Sequence, residues 1–447
     1  LLRRSVLKVE FCGQASRDPD NWQASSGRLV NCYREPSQGK TGHTIKSDLG
    51  TSAFSQLSGV FFREMEEVNG VLYAACGSAL YSIDASGGET VLGATADSEN
   101  ASIAGNNGDV TLCIGGLYYL WNGTTLTQPS AGAFSSFGSL DYIGNYTVLT
   151  ELNGIRFQWS DIADASTLPG LNFSSADGKD DKIVRGVAVN GYYYVFKEKS
   201  YEVWYITGEA GPDAFQRQAG GVQEIGLKGF GLVAKIPSGS AFFVGSDGKA
   251  HIVGMGPVSI PPVETAIKLL EPDRCICWED EGHVMCAINF RNGAAWVYDL
   301  STGEWHERAQ GVNLDPWGVV ASAKAYGNWY VGQNGGQVLL LSRSNADVSA
   351  PLVRSMTSRT LDNDGQRIKV SELEVFPRIG FAAGSVFMRM SKDSGHSWGD
   401  WRQKSWSVGE YSKRMNWRAL GQARQWVVQV HISDPQEIPM NAEGRVA

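Results

Sequence analysis

The stretch that decides the fold is Val189-Asn190-Gly191-Tyr192-Tyr193-Tyr194-Val195-Phe196, followed by Ser200-Tyr201-Glu202-Val203-Trp204-Tyr205. An Asn-Gly pair favours two successive residues with positive φ, the geometry that joins antiparallel strands tightly. The aromatic and β-branched side chains that flank it are typical of strands. The stretch therefore predicts a turn, a strand, a second turn and another strand.

The same unit recurs along the chain. Its copies start near residues 68, 106, 144, 189, 237, 281 and 326, a spacing of 38 to 48 residues. Four-stranded propeller blades repeat about every 40–50 residues and bury their apolar faces by stacking around an axis. The sequence therefore predicts an all-β fold with a β-propeller of six to eight blades, from about seven hairpin repeats. An array of ordinary β-sandwiches is the alternative, because sandwich strands also carry regularly spaced turns.

The repeat divides the chain into four parts. Residues 1–60 lack it and are predicted to form an N-terminal arm or wrapping segment. The propeller repeats occupy 61–342, and the polar, turn-rich residues 343–366 are predicted to form a linker or long loop. Strand-like alternation resumes in 367–447, which predicts a C-terminal β-module or a closing blade.

Composition narrows the functional classes. The chain has 447 residues, 42% of them apolar, and its net charge of −8 shows no long run of one sign. A protein that grips nucleic acid usually carries a basic patch, and none is visible. No stretch approaches the roughly 18 apolar residues of a membrane span, so no membrane insertion is expected. Seven scattered cysteines favour free thiols, so we expect folding in a reducing cytoplasm.

One motif matches the Asp-box pattern, Ser/Thr-x-Asp-x-Gly-x-x-Trp. It is Ser391-Lys392-Asp393-Ser394-Gly395-His396-Ser397-Trp398. In such a turn the carboxylate of Asp393 accepts backbone N–H bonds, Gly395 supplies a positive φ, and Trp398 plugs the space below. Sialidases carry similar boxes away from their chemistry, so we predict a structural role for these three residues.

A second structural candidate is Trp305. It ends the stretch Tyr298-Asp299-Leu300-Ser301-Thr302-Gly303-Glu304-Trp305, which resembles the end of a kelch-type blade. In that position a Trp packs between neighbouring blades. The prediction agrees with the repeat.

Cys275, Cys277, His283 and Cys286 are close enough in sequence to suggest zinc. A two-residue turn at Glu281-Gly282 would place Cys277 opposite Cys286, with Cys275 on the same face and His283 on the other. Three thiols on one face could bind a metal, but buried cysteines that pack as small hydrophobes are commoner. No metal site is therefore predicted.

No catalytic motif is present. The six histidines have no recognised catalytic spacing, and both the Gly-x-Ser-x-Gly elbow and the phosphate-binding loop are missing. We predict a protein that is not an enzyme and has no cofactor. The alternative is a glycan-binding or glycan-cleaving propeller, suggested by the Asp-box and 14 tryptophans. A kelch-like scaffold of host origin is a weaker alternative.

Stretches along nearly the whole chain resemble the packaged-DNA stabilisation family of short-tailed bacteriophages. They include the deciding hairpin above and segments close to both ends of the chain. The stretches are Asn31-Cys32-Tyr33, 190–204, Phe215-Gln216-Arg217, 242–248, 262–267, 296–308, 417–421 and 430–435.

That resemblance implies a structural virion protein, a tail hub or nozzle subunit. Such proteins form a ring, expected here to be a homohexamer, below the portal and its adaptor. The ring retains packaged DNA and forms part of the genome-ejection channel, through which double-stranded DNA passes transiently. Its further partners would be tail spikes or fibres and a tail needle or tip protein. The expected location is the phage tail, after assembly in the host cytoplasm.

Overall fold

The computed structural model describes residues 7–13, 27–37, 42–348 and 350–446. The first five strands lie before the repeats. They are β1 (Leu7–Glu10), β2 (Arg28–Val30), β3 (Cys32–Pro36), β4 (His43–Ser47) and β5 (Gly50–Gln56).

Residues 62–342 together with β5 form seven blades arranged as a propeller. Each blade is an antiparallel sheet, and in blades 1 to 6 the strands follow chain order from the axis outward. Blades 1 and 2 contain β6 (Phe62–Val68), β7 (Val71–Cys76), β8 (Ala79–Ile83), β9 (Glu89–Ala94), β10 (Ala101–Asn106), β11 (Asp109–Ile114), β12 (Leu117–Trp121) and β13 (Leu126–Thr127). Blades 3 and 4 contain β14 (Phe137–Ile143), β15 (Tyr146–Glu151), β16 (Arg156–Trp159), β17 (Phe173–Ser175), β18 (Ile183–Val189), β19 (Tyr192–Lys197), β20 (Tyr201–Ile206) and β21 (Phe215–Gln223).

The remaining blades include the one α-helix of the described residues, α1 (Pro261–Leu269), which connects blades 5 and 6. Blade 5 contains β22 (Val233–Ile236), β23 (Ser240–Val244), β24 (Ala250–Ile252) and β25 (Gly256–Pro257). Blade 6 contains β26 (Pro272–Asp280), β27 (His283–Phe290), β28 (Gly293–Asp299) and β29 (Glu304–Gln310), with β30 (Asp315–Pro316) beside β29. Blade 7 contains β31 (Val319–Ala325), β32 (Asn328–Gln333), β33 (Gln337–Ser342) and, as its outermost strand, β5.

Blade 7 closes the ring because its fourth strand comes from the beginning of the chain. Leu341 pairs with Thr51 in antiparallel register, and the innermost strand β31 packs against β6 of blade 1. The predicted propeller is therefore confirmed, with seven blades. Residues 1–60, for which the sequence predicts an arm, thus contribute one strand to the propeller itself.

The turns that marked the repeat have the expected conformation. Asn190 and Gly191 have φ values of 50° and 78°, and Val189 pairs with Tyr192 across them. Asn69 and Asn107 also have positive φ and are each followed by a glycine with positive φ. These are the two-residue hairpins that join the first and second strands of their blades.

The core of the propeller lies between adjacent blades. Between blades 3 and 4, for example, Phe157 and Trp159 pack with Tyr193, Trp204 and Phe215. Each sheet alone would leave these rings exposed, so neighbouring blades stabilise one another.

The C-terminal part is a β-sandwich built from two sheets. The strands that follow blade 7 in the chain are β34 (Ala346–Asp347), β35 (Ala350–Pro351), β36 (Arg354–Thr357), β37 (Leu361–Asp362), β38 (Ile368–Val375), β39 (Gly384–Ser391), β40 (Arg402–Trp406), β41 (Met415–Ala423), β42 (Gln425–Ile432), β43 (Met440–Asn441) and β44 (Glu443–Val446). One sheet has the order β1-β44-β38-β41, and the other runs β2-β36-β42-β39-β40. Their facing sides enclose a single apolar cluster that includes Phe11, Trp417 and Trp426.

The sandwich is continuous with the outer rim of blades 6 and 7. Val30 in β2 pairs with Glu307 in the outermost strand of blade 6, and Asp347 in β34 pairs with Thr51 in the outermost strand of blade 7. Residues 343–366, for which the sequence predicts a linker or loop, carry the four short strands β34 to β37. Their polar residues form these strands because neighbouring sheets supply the hydrogen-bond partners.

Candidate functional site

The junction between propeller and sandwich is built around a buried ion pair. The guanidinium of Arg308, on the outermost strand of blade 6, donates to both carboxylate oxygens of Asp347 at 2.5 and 3.0 Å. Both side chains are almost completely buried. The Asn31 side-chain oxygen and the Leu49 carbonyl accept further hydrogen bonds from the same guanidinium, and Trp317 packs under it. A buried charge pair is tolerated only when its remaining donors and acceptors are satisfied in this way.

Two histidines extend this junction. His306 lies 3.1 Å from the carboxylate of Asp48, and both are buried. His283 lies between two acids, 2.7 Å from Asp299 on the same blade and 2.7 Å from Glu35 on β3. Burial lowers the pKa of His283, but its hydrogen bonds with Asp299 and Glu35 outweigh this effect and raise it. The pairs hold the N-terminal strands against blade 6.

The cysteines considered for zinc lie in the register that the sequence predicts. Cys277 is directly opposite Cys286, and His283 pairs with Asp280. The sulfurs of Cys277 and Cys286 are 2.9 Å apart. Burial raises the pKa of the Cys275 and Cys277 thiols well above the usual value. Within the described residues no three His, Cys, Asp or Glu side chains are arranged to hold a metal ion, and these thiols are part of the core between blades 5 and 6.

The innermost strands surround an axial cavity of about 470 Å³. Charged side chains line it as pairs of opposite sign. The pairs are Lys235–Asp141 at 2.7 Å, Arg185–Glu64 at 3.3 Å and Lys324–Glu279 at 2.6 Å. Because these charges are paired, the net electrostatic field along the cavity is small.

Glu66 also lines the cavity but belongs to none of these pairs. The side chain of Glu66 is exposed to the cavity that the innermost strands surround. This confinement raises the pKa of Glu66 to about 7, with contributions from Glu64 and Asp141, while Lys235 opposes the shift. A carboxyl group of this kind titrates close to neutral pH.

The Asp-box has the local geometry expected from its sequence. The carboxylate of Asp393 accepts hydrogen bonds from the backbone and hydroxyl of Ser397 and from the hydroxyl of Ser391. These bonds lower the pKa of Asp393. Gly395 has a φ of 96°, a conformation that other side chains rarely adopt.

Trp398, predicted to fill the space below the box, lies beside Gly395 and is half-buried. Its ring lies 4.8 Å from the guanidinium carbon of Arg389, which lies 4.5 Å from the ring of Trp401. The guanidinium of Arg389 is thus in contact with both indole rings, and Trp401 remains 38% exposed. This stack occupies the outer surface of the sandwich.

Trp305 lies between two blades. It belongs to blade 6, is buried, and its indole N–H donates to the carbonyl of Val258 at 2.9 Å, in the segment that follows blade 5. The rings of Tyr298 and Phe242 are its neighbours. Trp305 and the Asp-box residues are far apart in the fold, since one is in the propeller and the others are in the sandwich.

Sequence reasoning missed Arg308, Asp347 and Asn31. Their side chains meet although they lie in three segments that are distant in sequence. Asn31 and Arg308 lie in stretches that carry the family resemblance, but no local motif marks a buried ion pair at any of the three positions. Only the polarity of Asn31, next to an apolar strand, hinted at a buried role.

Two family models match the chain. The model described as Bacteriophage P22 Gp10, beta-propeller, matches residues 36–344, and the one described as Bacteriophage P22 Gp10, beta-sandwich, matches residues 353–438. The chain belongs to this family. Membership in the Gp10 family makes the chain a structural phage protein of the tail and DNA-stabilisation class, located in the virion tail.

Several solved structures are similar to this Gp10 family member. BamB from Moraxella catarrhalis is 12% identical, with a TM-score of 0.41, covering 69% of this chain and 93% of that one. YCF48 bound to D1 peptide is 11% identical, with a TM-score of 0.42, covering 64% and 95%. The computationally designed protein Ika8 is 14% identical, with a TM-score of 0.38, covering 65% and 99%. No curated protein matches the chain in sequence.

The length of helix α1 decides whether it could span a membrane. Helix α1 has nine residues, and no helix of the described chain has the length and apolar character needed to cross a bilayer.

Proposed function

We propose that the protein is a tail hub, or nozzle, subunit that assembles into a homo-oligomeric ring, a hexamer, below the portal and its adaptor. The ring retains the packaged DNA and forms part of the channel through which the genome leaves. Its other partners are tail spikes or fibres and the needle or tip protein. The subunits assemble in the host cytoplasm.

The observation that carries this proposal is the family match over both the propeller and the sandwich. The construction of the junction supports it. A ring that holds DNA under pressure needs subunits that keep their shape, and the strand pairing and the Arg308–Asp347 pair bind the two parts into one body. Repeated contacts between such bodies can close by rotation.

The DNA path would lie between subunits and not through the propeller. The axial cavity has the size of a small-molecule pocket, too narrow for a duplex, and its charges are mostly paired. A channel at the centre of a ring would be lined by surfaces of a chain with a net charge of −8. Walls that carried this negative charge would repel phosphates within a screening length of about 8 Å in physiological salt and would not trap the duplex.

Negative-stain electron microscopy of the purified chain tests this function, together with particles made without it. We expect rings of uniform size, a matching density below the portal, and loss of packaged DNA from particles that lack the chain, measured as nuclease-sensitive genomes. Particles that keep their DNA and show an unchanged tail without this chain would contradict the proposal.

Glycan binding is a second candidate, favoured by the exposed Trp401 ring beside Arg389. A flat indole face next to a cation is suited to stacking against a sugar ring. A glycan array probed with the wild-type chain and with Trp401→Ala tests it. Binding that Trp401→Ala abolishes would favour this candidate, and an empty array would dismiss it.

A further inference from the structure

Blade 6 contains three of the seven cysteines, and two of these three are in direct contact. Cys277 on the innermost strand β26 lies opposite Cys286 on β27. The thiol of Cys277 donates a hydrogen bond to the sulfur of Cys286 at 2.9 Å. Both residues are almost completely buried, with 3% and 0% of their surface exposed. The contact therefore joins the first two strands of the blade inside the core.

The register of this hairpin gives the two cysteines the backbone spacing that a disulfide requires. The turn 281–282 has φ values of 47° and 90°, and Asp280 pairs with His283 across it. The closing pair of such a hairpin is hydrogen-bonded, and the two kinds of pair alternate along the ladder. Cys277 and Cys286 form the third pair beyond the closing one, so they are a non-hydrogen-bonded pair. The Cα atoms of such a pair are about 4.5 Å apart, within the roughly 4.4–6.8 Å that a disulfide spans.

Cys275 is the third cysteine of the hairpin, but its position does not suit a bridge. It lies opposite Ile288, which places it diagonally across from Cys286 on the same face of the sheet. Diagonal neighbours have Cα atoms about 7–8 Å apart, too far for a disulfide unless the backbone moves. In this hairpin the bridge can therefore form only between Cys277 and Cys286.

The axial cavity gives a small molecule a route to the pair. Cys275 and Cys277 are among the residues that line this cavity of about 470 Å³, because β26 is the innermost strand of its blade. A water molecule takes up about 30 Å³ in the liquid, so the cavity has room for several molecules of this size. Hydrogen peroxide is only slightly larger than water. On their other sides both thiols are enclosed by the core between blades 5 and 6.

We propose that Cys277 and Cys286 are a modification site, which a peroxide converts into a cross-strand disulfide. The sulfur of Cys277 attacks hydrogen peroxide, the O–O bond breaks, and a sulfenic acid and one water molecule form. The sulfur of Cys286 then attacks the oxidised sulfur, the S–S bond forms, and the hydroxyl group leaves with the thiol proton as a second water molecule. The two thiols together lose two electrons and two protons, and the peroxide is reduced to two water molecules.

Burial and compartment decide when the bridge forms. Burial raises the pKa of the Cys277 thiol well above its usual value, so little reactive thiolate is present and the oxidation is slow. In the reducing cytoplasm other thiols consume peroxide first, and both cysteines stay reduced. A released particle lacks this protection, so the bridge forms there. This timing rests on the proposed assembly in the host cytoplasm, whereas the chemistry of the pair does not.

The bridge fastens the two inner strands of blade 6. Strand β26 packs against β22 of blade 5 and β31 of blade 7, and the same blade carries the sandwich on its outermost strand. A disulfide restricts the unfolded chain, so oxidised wild type should melt at a higher temperature than reduced wild type. The difference should be absent in Cys286→Ala. Equal melting of the two wild-type forms would show that the bridge does not fasten the blade.

The first test counts thiols in the purified wild-type chain. The folded chain is treated with hydrogen peroxide at neutral pH, and its free thiols are counted in denaturant before and after reduction with dithiothreitol. We expect the count to fall from seven to five, since one disulfide removes two thiols, and to return to seven on reduction. A wild-type chain that keeps all seven thiols would overturn the proposal.

Peptide mapping identifies the two partners. Cleavage after Glu279 and Glu281 separates Cys277 from Cys286, so the two fragments stay joined only through a disulfide. We expect joined fragments from oxidised wild type and from the matched control Cys275→Ala, and separate fragments from Cys277→Ala and Cys286→Ala. Circular dichroism verifies that each variant is folded. Separate fragments from oxidised wild type would overturn the assignment, and so would joined fragments from Cys277→Ala. The wild-type map decides the assignment without the variants, should one of them not fold.

The timing is tested on the chain from two sources, each treated at once with N-ethylmaleimide to block free thiols. We expect separate fragments from the chain in host cytoplasm and joined fragments from the chain in released particles. Separate fragments from released particles would overturn the timing and leave the peroxide chemistry of the pair intact. The ring is judged by electron microscopy, so a bridge that forms in a chain without rings would count against the proposed function alone.

Discussion

Asp347 receives two hydrogen bonds from Arg308 in a space that water does not reach. The pair joins the last strand of blade 6 to the segment that leads into the sandwich. Removing one partner leaves the other charge buried and uncompensated, which costs far more than an exposed pair is worth.

Asp347→Asn is therefore expected to lower the free energy of unfolding by about 3–5 kcal/mol. The measurement is chemical denaturation followed by tryptophan fluorescence. Asp315→Asn, at an exposed acid of β30, is the control and should change stability little. Equal stability of Asp347→Asn and wild type would show that the pair does not stabilise the junction.

Trp305→Ala is expected to destabilise the fold by about 3–5 kcal/mol, because it opens a cavity between blades 5 and 6. Trp305→Phe should cost less, since it keeps most of the volume and loses the hydrogen bond to Val258. Thermal melting and acrylamide quenching provide the measurements. An indole at position 305 that quencher reaches freely would refute its burial.

Asp393→Ala should lower the melting temperature of the sandwich, because the turn loses the hydrogen bonds from Ser391 and Ser397. The folded-state pKa of Asp393 is depressed, so its contribution is present above the unfolded-state pKa and disappears as the pH falls toward the folded value. Asp400→Ala removes a nearby exposed acid as a control. Identical melting of the two variants across the acid range would argue against the predicted role.

Glu66→Gln should alter the pH dependence of stability. The pKa of Glu66 is raised from 4.5 to about 7 in the folded chain. The folded state then binds more protons than the unfolded state between these values, so stability falls as the pH rises through that window. Glu66→Gln removes this fall. Melting temperatures from pH 4 to 8 measure it, and parallel curves for the two proteins would exclude the shift.

The sequence was sufficient to predict the propeller but not to predict which strand closes it. Asn190-Gly191 and its counterparts are local turn signals, so each hairpin could be located without knowing its neighbours. Strand β5 carries no such signal, and its partner β33 lies near the other end of the propeller sequence. Pairing across that distance depends on the tertiary fold, which no local pattern records.

The same dependence on the tertiary fold explains which features of the candidate sites could be predicted from the sequence. The Asp-box was found from its motif because the hydrogen bonds to Asp393 come from Ser391 and Ser397 within the motif. The half-exposed position of Trp398 follows from Arg389 and Trp401, which the motif does not include. Arg308 is an ordinary charged residue in the sequence, and its burial depends on Asn31 and Asp347 from other segments.

Because strand β5 closes the propeller, closure can occur only late in the synthesis of the chain. Residues Gly50–Gln56 leave the ribosome early, but the edge with which they pair is complete only when Ser342 has been made. Until then the first blade has no neighbour on one side, and a nascent chain that stops short cannot seal its ring. Truncated products should therefore remain open, with unpaired edges that can aggregate or be cleaved by proteases. Only chains translated through Ser342 would then persist and enter a particle.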